Sequence, residues 1–167
     1  MTAIASTHAS IPAQSAAVVS KSALSDRFIL TQVQSATLVI PAEWIAEIFR
    51  VERSQILPLP FYSPLLVGIT HQGGRVLPLL SALRLLQAES VSLKENNMAI
   101  KLSDAAGVLA HVGLIVDRTL GSQTRAELPI ALFSPQPSSK ESTVLLRPET
   151  IDPELWQPLS WIPNNSL

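Results

Sequence analysis

Three features of the sequence predict a mainly β fold with short helices. Thirteen prolines against six glycines in 167 residues imply many stiff connections and edge strands, an unsuitable make-up for a helical bundle. Apolar residues fall in short runs of strand length between turn-forming stretches. The third feature is the stretch from Leu66 to Leu86, which reads as strand, glycine turn, strand and helix in close succession. At 47% hydrophobic residues the chain can bury a substantial core, as one domain or as two small lobes sharing it.

The first 25 residues are mostly Ala, Ser, Thr, Val and Ile, with Lys21 the one certain side-chain charge. A secretory signal places its basic residues before a compact apolar core, whereas Lys21 follows the apolar residues. Residues 1–25 are therefore expected to be a flexible, low-complexity tail, and the protein to be cytoplasmic. Residues 26–150 are expected to form the folded domain, and 151–167 a short terminal helix and tail.

Within the domain, Arg27 to Val33 has strand composition, with Phe28, Leu30 and Gln32 on one face. Gln34 to Ala36 reverses the chain, and Thr37 to Ile40 forms the return strand. Pro41 suits the start of a helical turn that would align Trp44, Ile45, Ile48 and Phe49. A strand from Glu47 to Val51 fits the same residues nearly as well. Arg53 to Pro64 carries Pro58, Pro60 and Pro64 among apolar residues, so it is expected to wrap irregularly over the domain with its side chains buried.

A strand is expected to end near Thr70 and another to run from Arg75 to Leu80, around a turn made by Gly73 and Gly74. Pro78 lacks an N–H, which places that second strand at an edge or ends it there. Ser81 can cap a short helix whose Leu83, Leu85 and Leu86 face inward. The polar stretch Gln87 to Asn97 is expected to be a surface connection. Met98 to Leu102 and Val108 to Val116 are expected to form a hairpin, the second strand being central because it is apolar on both faces. A last pair of strands is expected at Pro129 to Phe133 and Thr143 to Leu146. Asp152 and Pro153 can start a terminal helix through Trp156.

Charge and composition exclude several function classes. A net charge of −1 offers no basic patch for phosphate neutralisation, so no nucleic-acid partner is expected. No apolar run approaches the roughly 18 residues of a membrane span, so no direct membrane insertion is expected. Absent cysteine removes disulfides and thiolate sites, and two usable histidines, His71 and His111, make a metal site unexpected. No cofactor is called for. On an extended strand His111 and Asp117 would lie ~20 Å apart, too far for a catalytic hydrogen bond. Glu43 and Glu47 could pair across a helical face, but a solvated helix edge near Arg50 explains them more simply. Gly73-Gly74-Arg75 precedes a strand, not the helix N-terminus that a phosphate cradle needs. The sequence supplies no catalytic set, and a binding module with apolar surface fits it better than an enzyme does.

Gly68-Ile69, Gly74, Pro78 and the Leu-rich turn after it, in that order, resemble the core of the CheW-like domain. Ile40-Pro41, Glu47-Ile48 and Val112 to Asp117 extend the resemblance over roughly Arg27 to Glu149. It implies two small SH3-like β-barrel lobes around a shared hydrophobic core, with a short helical turn followed by a strand after Pro41. It also implies a non-enzymatic adaptor joining a methyl-accepting chemoreceptor to a CheA-type histidine kinase, in taxis or pilus-based motility. Carried over by position, partner contacts would involve Ile45, Gly68, Ile69, His71, Gly73 and Gly74 from a first lobe. Val112, Gly113 and Thr119 would contribute from a second. Gly73 stands where the family usually has an arginine, so partner contact is expected to be altered. The segment after Asp117 is shorter than usual, so the second lobe is expected to be shortened, its next strand missing or shifted in register. The alternative function is a β-barrel that binds a small apolar ligand in the cleft between lobes.

Overall fold

The computed structural model describes residues 26–87, 92–134 and 142–159. The expected N-terminal tail and the last eight residues lie outside them. Strands β1 (Arg27–Val33), β2 (Ala36–Pro41), β8 (Arg118–Thr124) and β9 (Thr143–Leu145) form a four-stranded sheet in the order β8-β1-β2-β9. Strands β3 (Ile45–Glu52), β4 (Leu66–Gln72), β5 (Arg75–Ser81), β6 (Asn96–Leu102) and β7 (Gly113–Val116) form a second sheet in the order β3-β6-β7-β5-β4. Helix α1 (Ala82–Gln87) connects β5 towards β6, and short 3₁₀ turns supply most other connections. The molecule is mainly β, as the sequence predicts.

The two sheets share one core. Val33, Leu38 and Ile40 from the first sheet pack with Leu66, Leu80, Ile100, Leu102 and Leu114 from the second. Leu83 of α1 and Leu146, Ile151 and Leu155 of the C-terminal segment complete it. Alternation along each strand sends the other faces elsewhere. Val51, Leu77, Leu79, Ala99 and Ile115 line the inside of the five-stranded sheet, which curls so that its outer strands meet where Gln72 Nε2 donates to Glu47 Oε1 at 2.9 Å. Phe28, Leu30 and Val39 face outward from the four-stranded sheet onto Leu128, Leu132 and Phe133, with the two Phe rings edge-on at 5.4 Å. Thr31 and Val33 point the opposite way, both buried.

Several elements differ from the sequence reading, each for a physical reason. After Pro41 the chain makes a 3₁₀ turn over Ala42–Trp44 and then enters β3, so both alternatives hold in part, and Glu43 and Glu47 share no helical face. Strand β5 is internal, not an edge. Ile69 exchanges both backbone hydrogen bonds with Leu57 and so makes none with Pro78, its partner across the hairpin. The missing N–H of Pro78 consequently points towards β7, whose ladder with β5 begins only at Leu79. In the segment from Arg53 to Pro64, Ile56 is buried but Leu57 and Phe61 are exposed, so the wrap is only partly apolar on its inner side.

The strand expected from Val108 is confined to Gly113–Val116, because residues 104–109 form 3₁₀ turns and His111 has a φ of 60°. Its burial and central place match expectation. Ile130–Phe133 is a 3₁₀ turn rather than a strand, and β9 pairs with β2 in parallel. A strand does follow Asp117. Strand β8 is held on β1 with a register shift, Leu30 opposing Gly121 and Thr31 opposing Thr119, so that Leu120 bulges out. Ser81 caps α1 by accepting from the Arg84 N–H at 3.2 Å, and Asp152 caps Pro153–Trp156, a 3₁₀ turn in place of the expected helix.

Candidate functional site

The β4–β5 hairpin is built by its glycines. Gly73 and Gly74 have φ of 58° and 78°, the left-handed pair that a two-residue turn matching strand twist requires. Across the hairpin His71 faces Val76, and Gln72 faces Arg75. Thr70 and Leu77, one position further in, are buried inside the curl, so His71 and Val76 stand on the other face. That face carries Leu80 into the shared core lower down. It emerges into solvent at the tip, where Val76 is 66% exposed. On β3, Ile48 opposes the fully buried Ile100 and is itself 44% exposed. Val76 and Ile48 are thus exposed apolar side chains on strand faces that pack into the core elsewhere.

The residues singled out from the sequence divide into three groups. His71, Gly73 and Gly74 are exposed at the hairpin tip, with Ile69 half-buried below them. Ile45 begins β3 and is half-buried, packing on the shared core. Gly68, Val112 and Gly113 are buried. A Cβ on Gly68 would lie 2.4 Å from the Leu57 carbonyl oxygen, and one on Gly113 2.6 Å from the Leu79 side chain. Val112 is 3% exposed, and its carbonyl accepts from Leu102 N–H at 2.8 Å. Gly113 pairs with Leu79, so it and Gly68 belong to the same sheet instead of to separate lobes. Thr119 is half-buried on β8 in the other sheet. Val76 was not legible as exposed, because β5 is apolar on both faces.

A second feature missed in the sequence is a polar junction between the sheets. Asp117 accepts from the Gln34 N–H at 2.6 Å and from Lys94 Nζ at 2.5 Å, while its own N–H donates to the Gln32 carbonyl at 2.9 Å. Arg118 Nε donates to Gln32 Oε1 at 2.5 Å. Partial burial pushes the Asp117 carboxyl up. The Gln34 N–H, the Lys94 hydrogen bond and the charges of Lys94 and Arg118 outweigh it and hold the group below the ordinary carboxylate range. These groups rim a crevice of about 650 Å³ with Val33, Leu83 and Met98 in its lining. The signal available was a lone carboxylate closing a wholly apolar run. His111 pairs with Asp104 at 2.8 Å, both exposed, and not with Asp117. Among the described residues no three His, Cys, Asp or Glu side chains converge, and no helix is long and apolar enough to cross a membrane.

The sequence pattern of the CheW-like domain matches residues 27–149, well over half of the chain. The chain belongs to the CheW-like domain family. Among solved structures it is similar to the scaffolding protein TtCheW from Thermoanaerobacter tengcongensis, at 14% identity and a TM-score of 0.49. That similarity covers 59% of this chain and 64% of the other. Comparison with curated proteins found no match.

Proposed function

We propose that this CheW-like protein is a cytoplasmic, non-enzymatic adaptor that couples a methyl-accepting chemoreceptor to a CheA-type histidine kinase. The observation that carries the reading is the family match over residues 27–149. The exposed apolar side chains of Val76 and Ile48 support it, since solvent-facing apolar groups suit burial against a partner. In this reading the adaptor acts mechanically: a rigid body with one shared core fixes the relative geometry of what it binds. Ile45, Ile69, His71, Gly73, Gly74 and Thr119 contribute accessible contacts. Gly68, Val112 and Gly113 act from beneath by setting the backbone that displays them. No specific observation favours the small-ligand alternative, because the crevice between the sheets is open and rimmed by charge, not closed and apolar.

Two substitutions test the division between surface and support. Val76→Glu should leave folding intact and sharply reduce co-purification of kinase or receptor. Val112→Asp should lose the folded circular dichroism spectrum altogether, since it buries an unpaired charge. A folded Val76→Glu protein that retains both partners in full would remove Val76 from the proposal.

A further inference from the structure

Phe61 has a φ of 67°, in the left-handed region that a bulky side chain rarely adopts. It is 60% exposed, so burial of its own ring does not hold it there. What grips it is the C-terminal segment: the Phe61 carbonyl accepts from the Leu159 N–H at 2.5 Å. Leu159 follows Ile151 and Leu155, both buried in the shared core, so the grip comes from an anchored chain. On its other side Phe61 ends a stiff stretch. Pro58 and Pro60 have fixed φ, and Leu57 and Leu59 each precede a proline, which confines them to extended backbone. None of residues 57–61 is buried, and Leu59 is half-buried. At the far end Leu57 exchanges two backbone hydrogen bonds with Ile69, at 2.8 and 2.9 Å. Ile69 leads along β4 to His71 and the turn at Gly73 and Gly74.

We propose that the C-terminal segment is a latch on the β4–β5 hairpin, acting through Phe61. The Leu159 N–H keeps Phe61 in its strained conformation. When that N–H is withdrawn, Phe61 relaxes to negative φ. Residues 57–60 cannot absorb the turn, so they swing with it and loosen the Leu57 and Ile69 pair at the base of the hairpin. Phe61 is the bistable element, and Leu159 is a positioning residue that biases it. Ile56, buried just before the stretch, confines the movement to this edge of the sheet. The latch is a property of the chain alone. Its use, to control what the hairpin presents to a partner, rests on the adaptor reading.

The test is amide hydrogen exchange, followed by NMR on the full chain with no partner present, so it reads the latch whether or not the adaptor reading holds. Leu159→Pro removes the one N–H and should speed exchange at the Leu57 and Ile69 amides about fivefold or more, while Leu114 in β7 keeps its rate. Leu159→Ala retains the N–H and should leave all three rates unchanged. Unchanged rates at Leu57 and Ile69 in Leu159→Pro, an equal acceleration at Leu114, or the same acceleration in Leu159→Ala would each overturn the proposal. A second measurement does not need the proline variant to fold. If Phe61 is held against strain, Phe61→Gly should be more stable to urea than Phe61→Ala, because glycine alone adopts that φ freely. Phe61→Ala equal to or more stable than Phe61→Gly would overturn the latch by removing its strained element.

Discussion

At Gly68 the chain from Arg53 to Leu57 crosses so close that a side chain has no room. The obstruction is the Leu57 backbone, and the residue's φ of 155° is itself unfavourable for any other amino acid. Gly68→Ala should therefore cost about 2–3 kcal/mol in urea denaturation, and a cost under about 1 kcal/mol would mean that the crossing segment moves aside freely. Asp117 supports a different kind of prediction. Its folded-state pKa lies below the ordinary 3.8, so its stabilisation is complete at pH values well above that. It is lost as pH falls through the lower folded-state value. Asp117→Asn should lower stability at pH 7 by about 1 kcal/mol or less, because the junction is partly solvated. The gap from wild type should close in acid. A gap that persists undiminished at pH 2 would assign the loss to packing instead of charge.

Among the elements, β7 should be the most protected. All four of its residues are buried, and it pairs with β6 on one side and β5 on the other. The Leu114 and Ile115 amides should exchange hydrogen orders of magnitude more slowly than those of edge strand β8, as measured by NMR. Comparable rates would place the stable centre elsewhere. The centrality of β7 could be read directly from its unbroken apolar run, and the hairpin from adjacent glycines between alternating strands. Other elements depend on partners far away in sequence. Strand β8 is largely polar and bulged, so nothing in its own residues announces it until β1 is beside it. Ile130–Phe133 has strand-like composition, yet it packs Leu132 and Phe133 onto the outer face of β1 and β2 as a 3₁₀ turn. Pro78 suggested an edge, and only the short reach of β7 allows it inside the sheet. The exposure of Val76 was equally hidden: Val76 and Leu80 share a strand face, and the core simply ends between them.

At the scale of the molecule, two sheets share one core and leave the hairpin tip to solvent. The shared core draws on both sheets, the helix and the C-terminal segment. A body built on one core suits the proposed coupling of a receptor to a kinase. Affinity purification of the intact protein from its native cells, with identification of the co-eluting proteins, tests it most directly. A CheA-type histidine kinase and a methyl-accepting receptor should both be recovered, and both should be diminished with Val76→Glu. Recovery of neither, from protein that is folded and abundant, would show that this protein does not couple a receptor to a kinase.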